Sequence, residues 1–171
     1  MAILATAMSL FAGTVASVAT ERGISRESVT AAEAAESFVE RLRSENVRLV
    51  FARYNTDPSD DPGGAGTAPG ARFEVVGLDP GDAPDGLAGE VRFPAVDTGP
   101  AGGPPVLELR EDTVEPAFGL PRDLNGDSII DEADHGDDYL LLPFEVVVTW
   151  RGRTGLREHR TFATLCEYKW E

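Results

Sequence analysis

The sequence predicts an α+β protein in which a long N-terminal helix packs on a small antiparallel β-sheet domain. An uncharged run at 2–19, a helical stripe of apolar residues after it, and short apolar segments between Gly- and Pro-rich loops predict this class. The 171 residues leave room for one modest core besides the helix. We divide the chain into an apolar helix half with its joint at 1–27, an amphipathic helix half at 28–55, and a β-rich domain at 56–171.

The uncharged run is interpreted as a membrane-anchoring helix half. At about 1.5 Å per residue it spans about 27 Å, slightly short of the roughly 30 Å of a bilayer core. A cleaved secretory signal is an alternative, because Ser17, Val18 and Ala19 place small residues at the spacing of a cleavage site. No basic segment precedes the run, however, and no other segment is large enough to bury it as a core helix. We therefore expect a transmembrane helix.

The residues after this run continue a helical pattern. Apolar side chains recur on one stripe of a 3.6-residue helix, at Ala31, Ala35, Phe38, Val39 and Leu42. No proline occurs before Pro58, so helix is expected over most of 2–54, with any interruption near Gly23. The stripe, Phe38 and Leu42 above all, is expected to face the chain's own sheet.

The segment MAILATAMSLFAGTVA resembles the interior of the type IV pilin signature, in which a Phe-Thr-Leu-x-Glu motif opens an apolar helix. The resemblance covers 1–45 and implies a minor pilin, or a pseudopilin of a type II secretion system. The prepilin peptidase site, a Gly directly before that motif, does not occur in the chain. We therefore expect either an N-terminal truncation or a start codon placed too late, and no residue is assigned as the processing site.

The resemblance implies a structural subunit rather than an enzyme. Such a subunit would cross the inner membrane once, hold its C-terminal domain in the periplasm or outside the cell, and assemble with sister pilin subunits into a filament through the N-terminal helix. Small residues allow helices to approach closely in that packing. They occur at Ala5, Ala12, Gly13 and Ala16.

The charge of the chain argues against a nucleic-acid-binding protein, and its candidate nucleophiles give no sign of an enzyme. Thirty acidic against 15 basic residues give a net charge of −15, which opposes binding to nucleic acid. His135, His159 and Cys166 lie in no recognisable catalytic motif, so no catalytic residue is predicted. The alternative function is an exported calcium-binding module of adhesion or scaffold type, released by cleavage near Ala19.

The β-rich domain is predicted from alternating apolar segments. The strands are expected at 72–77, 89–93, 106–110, 139–150 and 156–168. The last two form a hairpin around a turn at 151–155, and Pro143 marks an edge, a bend or a bulge. The loop at 55–70 carries a weak cluster of polar groups that we interpret as solvated. These groups are Asn55, Asp57, Asp60 and Asp61.

The acidic loop at 123–138 contains DLNGDSIIDEAD, whose spacing is typical of a calcium loop. An EF-hand-like loop supplies oxygen ligands from its positions 1, 3, 5, 7, 9 and 12. The corresponding groups are Asp123, Asn125, Asp127, the carbonyl of Ile129, Asp131 and Asp134. Acidic residues crowd this loop, and a cation would relieve their mutual repulsion.

Two positions depart from that calcium motif. Ser128 stands where the motif has Gly, and a positive φ there costs a non-Gly residue about 1–2 kcal/mol. Asp134 is shorter than the usual Glu. Dockerin-type loops also carry Asp at this position, and the segment resembles theirs, although the chain has one copy only. The resemblance to pseudopilins, some of which hold a structural calcium, also favours calcium, whereas an open solvated loop remains the alternative.

Overall fold

The computed structural model describes residues 2–167, with side chains from Gly23 onward. The fold is α+β with antiparallel sheets, as the sequence predicted, and it contains two α-helices where one was expected. Helix α1 spans Ala2–Ser44 and helix α2 spans Val47–Tyr54. Residues 1–22, which hold most of the predicted anchor, lie outside the described side chains. Among the helices of the described part, none is long and apolar enough to cross a membrane.

Any interruption of the helix was expected near Gly23, but Gly23 lies within α1 and the break lies between Ser44 and Val47. Asn46 causes this break. Its φ and ψ are extended, and its side-chain oxygen accepts a hydrogen bond from the backbone N–H of Arg48 at 3.2 Å. A side chain that binds a free N–H in this way begins a new helix.

Four strands form the main sheet, in the order β1-β2-β5-β6, and every neighbouring pair is antiparallel. These are β1 (Arg72–Phe73), β2 (Gly89–Arg92), β5 (Leu141–Gly152) and β6 (Gly155–Cys166). A second, two-stranded antiparallel sheet consists of β3 (Ala95–Asp97) and β4 (Leu107–Leu109). The hairpin predicted at the C-terminal end is confirmed as β5–β6.

Three strand predictions need adjustment. Strand β1 is shorter than predicted, because the chain turns after Phe73 and the N–H of Leu78 binds the carbonyl of Val75 at 3.3 Å. Strand β3 was not predicted. Pro143 lies inside β5 and pairs in regular register with Thr164. Strand β2 pairs with β5 only from Glu145 onward, so Pro143 lies where β5 needs no N–H on that side.

The stripe of α1 packs on the sheet as predicted. Its five apolar residues are all buried, and α1 contacts both β5 and β6. The Phe38 ring stacks on Phe73 with centroids 3.9 Å apart and meets Tyr54 edge-on at 5.8 Å. At the other end of the interface, the indole N–H of Trp150 lies 3.3 Å from a Glu27 carboxylate oxygen. Burial and ring contacts therefore fix one face of α1 on the sheet.

The cluster interpreted as a solvated loop is partly buried instead. Asn55 and Asp57 are 5% and 3% exposed. The Oδ1 of Asp57 accepts hydrogen bonds from the backbone N–H and the hydroxyl of Ser59, and its Oδ2 accepts one from the N–H of Leu107 at 3.1 Å. The interpretation was wrong because β4 lies beside this loop in the fold, and nothing in the local sequence indicates that contact.

Candidate metal centre

The acidic loop curls tightly where the calcium motif requires it. Ser128, at the sixth position, has a φ of +68°, in the left-handed region. The Oδ2 of Asp123 accepts a hydrogen bond from the N–H of Ser128 at 2.8 Å. The side-chain oxygens of Asn125 and Asp127 accept from the N–H groups of Asp127 and Ile129, at 3.0 and 2.7 Å. These carboxylate and amide oxygens are thus held by the backbone of their own loop.

The last two predicted side-chain ligands, Asp131 and Asp134, are engaged by other partners. The Oδ1 of Asp134 accepts hydrogen bonds from the N–H groups of Leu109 and Gly136, each at 2.9 Å. The Oδ1 of Asp131 lies 3.3 Å from Nε2 of His135. In the first half of the loop the side-chain oxygens of the motif are bound by the loop's own backbone, whereas its second half turns toward neighbouring segments.

A different group of ligand atoms comes together beside the loop. Glu111, Asp131 and His135 each offer one ligand atom, and the three atoms lie within 4.8 Å of one another. Such a group could hold a metal ion. Asp131 was predicted as a ligand and His135 falls within the acidic loop at 123–138, but Glu111 was not predicted.

Glu111 is the most deeply buried member of this group, with no exposed surface. Its Oε1 accepts hydrogen bonds from the N–H groups of Leu124 and Asn125, at 2.6 and 3.1 Å. Its Oε2 is also buried and has no hydrogen-bond partner among the described residues. A buried carboxylate oxygen without a partner is costly, because it has lost its water and gained nothing in exchange.

Backbone hydrogen bonds explain why Glu111 lies against the loop. The N–H of His135 binds the carbonyl of Leu109 at 2.9 Å, and the N–H of Asp112 binds the carbonyl of Asp131 at 3.1 Å. On its other side, the carbonyl of Glu111 accepts from the N–H of Arg122 at 3.1 Å. The chain that leaves β4 is thereby held along the loop, with the Glu111 side chain directed beneath it.

His135 is the positive or neutral partner of this acidic group. It is 5% exposed, and its Nδ1 lies 2.9 Å from Oδ1 of Asp138. Burial lowers the pKa of His135, but hydrogen bonds to Asp138 and Asp131 and the charge of Glu111 raise it, and the net result is a pKa above the usual value.

No signal within the loop itself points to Glu111. Its role depends on the pairing of the 109–112 segment with the loop, which joins residues distant in sequence. In comparisons with protein-family models, with curated proteins and with solved structures, nothing matches this chain. What the chain does is therefore inferred from its own residues.

Proposed function

We propose that this chain is a structural, non-enzymatic subunit of the minor pilin or pseudopilin type, serving a type IV filament or a type II secretion machine. Its N-terminal helix would cross the inner membrane once and later pack against sister subunits in a filament. The β-rich domain would face the periplasm or the exterior. One observation supports the proposal: α1 lays its apolar stripe on an antiparallel sheet, and in the sequence an uncharged run precedes that stripe.

The stripe and the uncharged run would serve different purposes: the stripe packs on the sheet, and the run would contact the membrane. Between them, α1 bears exposed polar side chains and an exposed Val29, 52% accessible, off the buried stripe. The stripe is buried in the core of the described domain. The uncharged run that precedes it in the sequence has the composition of a segment suited to lipid and to neighbouring helices.

Membrane fractionation of the full chain tests this proposal. We expect the chain to remain with the inner membrane after a high-salt wash. Leu10→Asp should release much of it, because a carboxylate near the centre of a span costs about 2.5–3.5 kcal/mol. Val29→Asp is the matched control and should leave fractionation unchanged, since Val29 lies on an exposed face of α1. A soluble chain cleaved after Ala19 would overturn the proposal and favour the exported module.

We also propose that the acidic loop binds a structural calcium ion. Asp123, Asn125, Asp127 and the Ile129 carbonyl would supply the first ligands, and the positive φ of Ser128 supports the required curl. Asp131 would have to turn from His135, and Asp134 would offer its other oxygen. A weak site results, of the kind that extracellular modules fill at about 10⁻⁴–10⁻³ M.

Thermal unfolding with and without millimolar calcium tests the ion. Calcium should raise the melting temperature, because it binds the folded state only. Asp123→Ala together with Asp127→Ala should remove the gain. An equal melting temperature in chelator and in calcium would mean that the loop is merely solvated.

A further inference from the structure

We propose that Glu111, Asp131 and His135 form a second metal site, which takes a divalent transition ion of the zinc type rather than calcium. The site lies beneath the acidic loop, on the side of the 109–112 segment, and shares only Asp131 with the predicted calcium ligands. It goes beyond the filament role, which needs no metal at this position. Geometry, burial and ligand chemistry each contribute to the inference.

The geometry of His135 is that of a metal-binding imidazole. Its Nδ1 lies 2.9 Å from Oδ1 of Asp138, so an N–H on Nδ1 can donate to that carboxylate. The lone pair of Nε2 then faces Asp131 Oδ1 at 3.3 Å and Glu111 Oε1 at 3.9 Å. Metal-bound histidines are oriented in this way, with a carboxylate on the far nitrogen. In the neutral imidazole this lone pair faces two carboxylates, and a metal ion would supply the positive charge that a proton on Nε2 supplies when no ion is bound.

The distances fit a small ion. Two ligand atoms at about 2.0–2.1 Å from a tetrahedral zinc lie about 3.3 Å apart. The observed separation of Asp131 Oδ1 from His135 Nε2 is 3.3 Å. Glu111 Oε1 lies 3.9 Å from His135 Nε2 and would need to approach by about 0.6 Å. The imidazole decides the class of ion, because calcium takes oxygen ligands whereas zinc accepts nitrogen readily.

The burial of the Glu111 carboxylate, one oxygen of which has no partner among the described residues, also favours a bound cation. The side chain is completely buried, and two backbone amides hold its Oε1, while Oε2 has no hydrogen-bond partner among the described residues. Those amides fix the carboxylate before any ion arrives. The oxygen nearest His135 is the amide-bound Oε1, so an ion would share that oxygen with the two amides and neutralise a carboxylate whose Oε2 is unpartnered.

Calorimetric titration of the full chain with zinc chloride, after chelator treatment and in mild detergent, tests the site. We expect one zinc ion per chain, and an affinity at least tenfold weaker in His135→Gln and in Asp131→Asn. His159→Gln is the matched control. His159 is the other histidine of the chain and lies on β6 with Thr161 Oγ1 3.2 Å from its Nε2. Its replacement should leave zinc affinity unchanged.

Asp131→Asn protects the test against misfolding. The Asp131 side chain is 45% exposed, and an amide oxygen can still accept its backbone hydrogen bond from Ala133. In the unaltered chain, zinc should also shift the ring resonances of His135 and leave those of His159 in place. Absence of zinc binding, or equal affinity in Asp131→Asn, would overturn the inference and leave His135 as a protonated partner of its carboxylates.

The calcium proposal and this one fail separately. Asp123→Ala with Asp127→Ala should remove the calcium effect and keep zinc binding, while His135→Gln should do the reverse. If His135→Gln abolished calcium binding and no zinc bound to the chain, His135 would belong to a calcium site. The inference of a zinc-type site would then be refuted.

Discussion

Replacing Gly89 by Ala would test how tightly α1 is held on the sheet. Gly89 pairs with Phe73 in the β1–β2 register, and a Cβ on Gly89 would lie 2.3 Å from Cε2 and Cζ of that ring. The ring also stacks on Phe38 of α1 at 3.9 Å between centroids, so a movement of the ring disturbs that stacking. The added methyl group should therefore disturb the packing of the helix as well as the strand pair.

The size of the effect follows from that contact. Carbon atoms in contact lie about 3.5–4.0 Å apart, so the ring must move by roughly 1.2 Å or more. Overpacking of this kind costs about 1–3 kcal/mol. For a domain of this size, each kcal/mol corresponds to about 2–4 °C, so the melting temperature followed by circular dichroism should fall by roughly 2–12 °C.

Gly23→Ala is the matched control for this experiment. Gly23 lies in α1, and a Cβ there would meet no neighbouring atom within 4 Å. Alanine should stabilise the helix by about 0.5–1 kcal/mol, an effect of opposite sign. An unchanged melting temperature in Gly89→Ala would refute the reasoning. The double variant Gly89→Ala with Phe73→Leu gives a second test. If the two changes in the free energy of unfolding were strictly additive, the reasoning would also be refuted, because a smaller side chain at 73 should relieve a clash that depends on the ring.

Further predictions concern the acidic loop and the support of α2. Ser128→Gly should raise the free energy of unfolding by up to about 1 kcal/mol in denaturant titrations, because it relieves a positive φ. Tyr139→Phe should lower the free energy of unfolding by about 1–3 kcal/mol, since the buried hydroxyl donates a hydrogen bond to the carbonyl of Val47, the first residue of α2. In chelator, the raised pKa of His135 should stabilise the fold fully below pH 6.5, and this stability should be lost as the pH rises through the folded-state pKa. His135→Gln should remove that pH dependence, and a profile unchanged in the variant would contradict it.

Local periodicity explains which elements could be predicted. The apolar residues from Ala31 to Leu42 repeat at helical spacing, so the buried face of the helix can be identified from that segment alone. The β5–β6 hairpin was equally accessible, because its two long apolar segments are joined by a short turn at Arg153 and Thr154. Neither prediction depended on knowing where a distant segment lies.

The features that were missed all depend on distant pairings. Strand β3 has three residues and exists because β4 lies beside it. Glu111 contributes to the candidate site because the chain after β4 pairs with the acidic loop. The break at Asn46 is an exception, because it could have been predicted locally. An Asn directly before Val47 is a signal for the start of a helix, but the prediction considered only proline and glycine as helix-breaking residues.

Along the side of β4 that does not face β3, carboxylates take the place of a neighbouring strand. The N–H groups of Leu107 and Leu109, two residues apart, point to the same side of β4. Asp57 binds the first at 3.1 Å, and Asp134 binds the second at 2.9 Å. An edge strand whose donors are bound by side chains is a poor template for pairing with another chain. Asp134 therefore has a structural task of its own, and a calcium ion in the loop would find one of its oxygens already committed. The weak affinity expected for that ion follows from this division of the carboxylate between β4 and the loop.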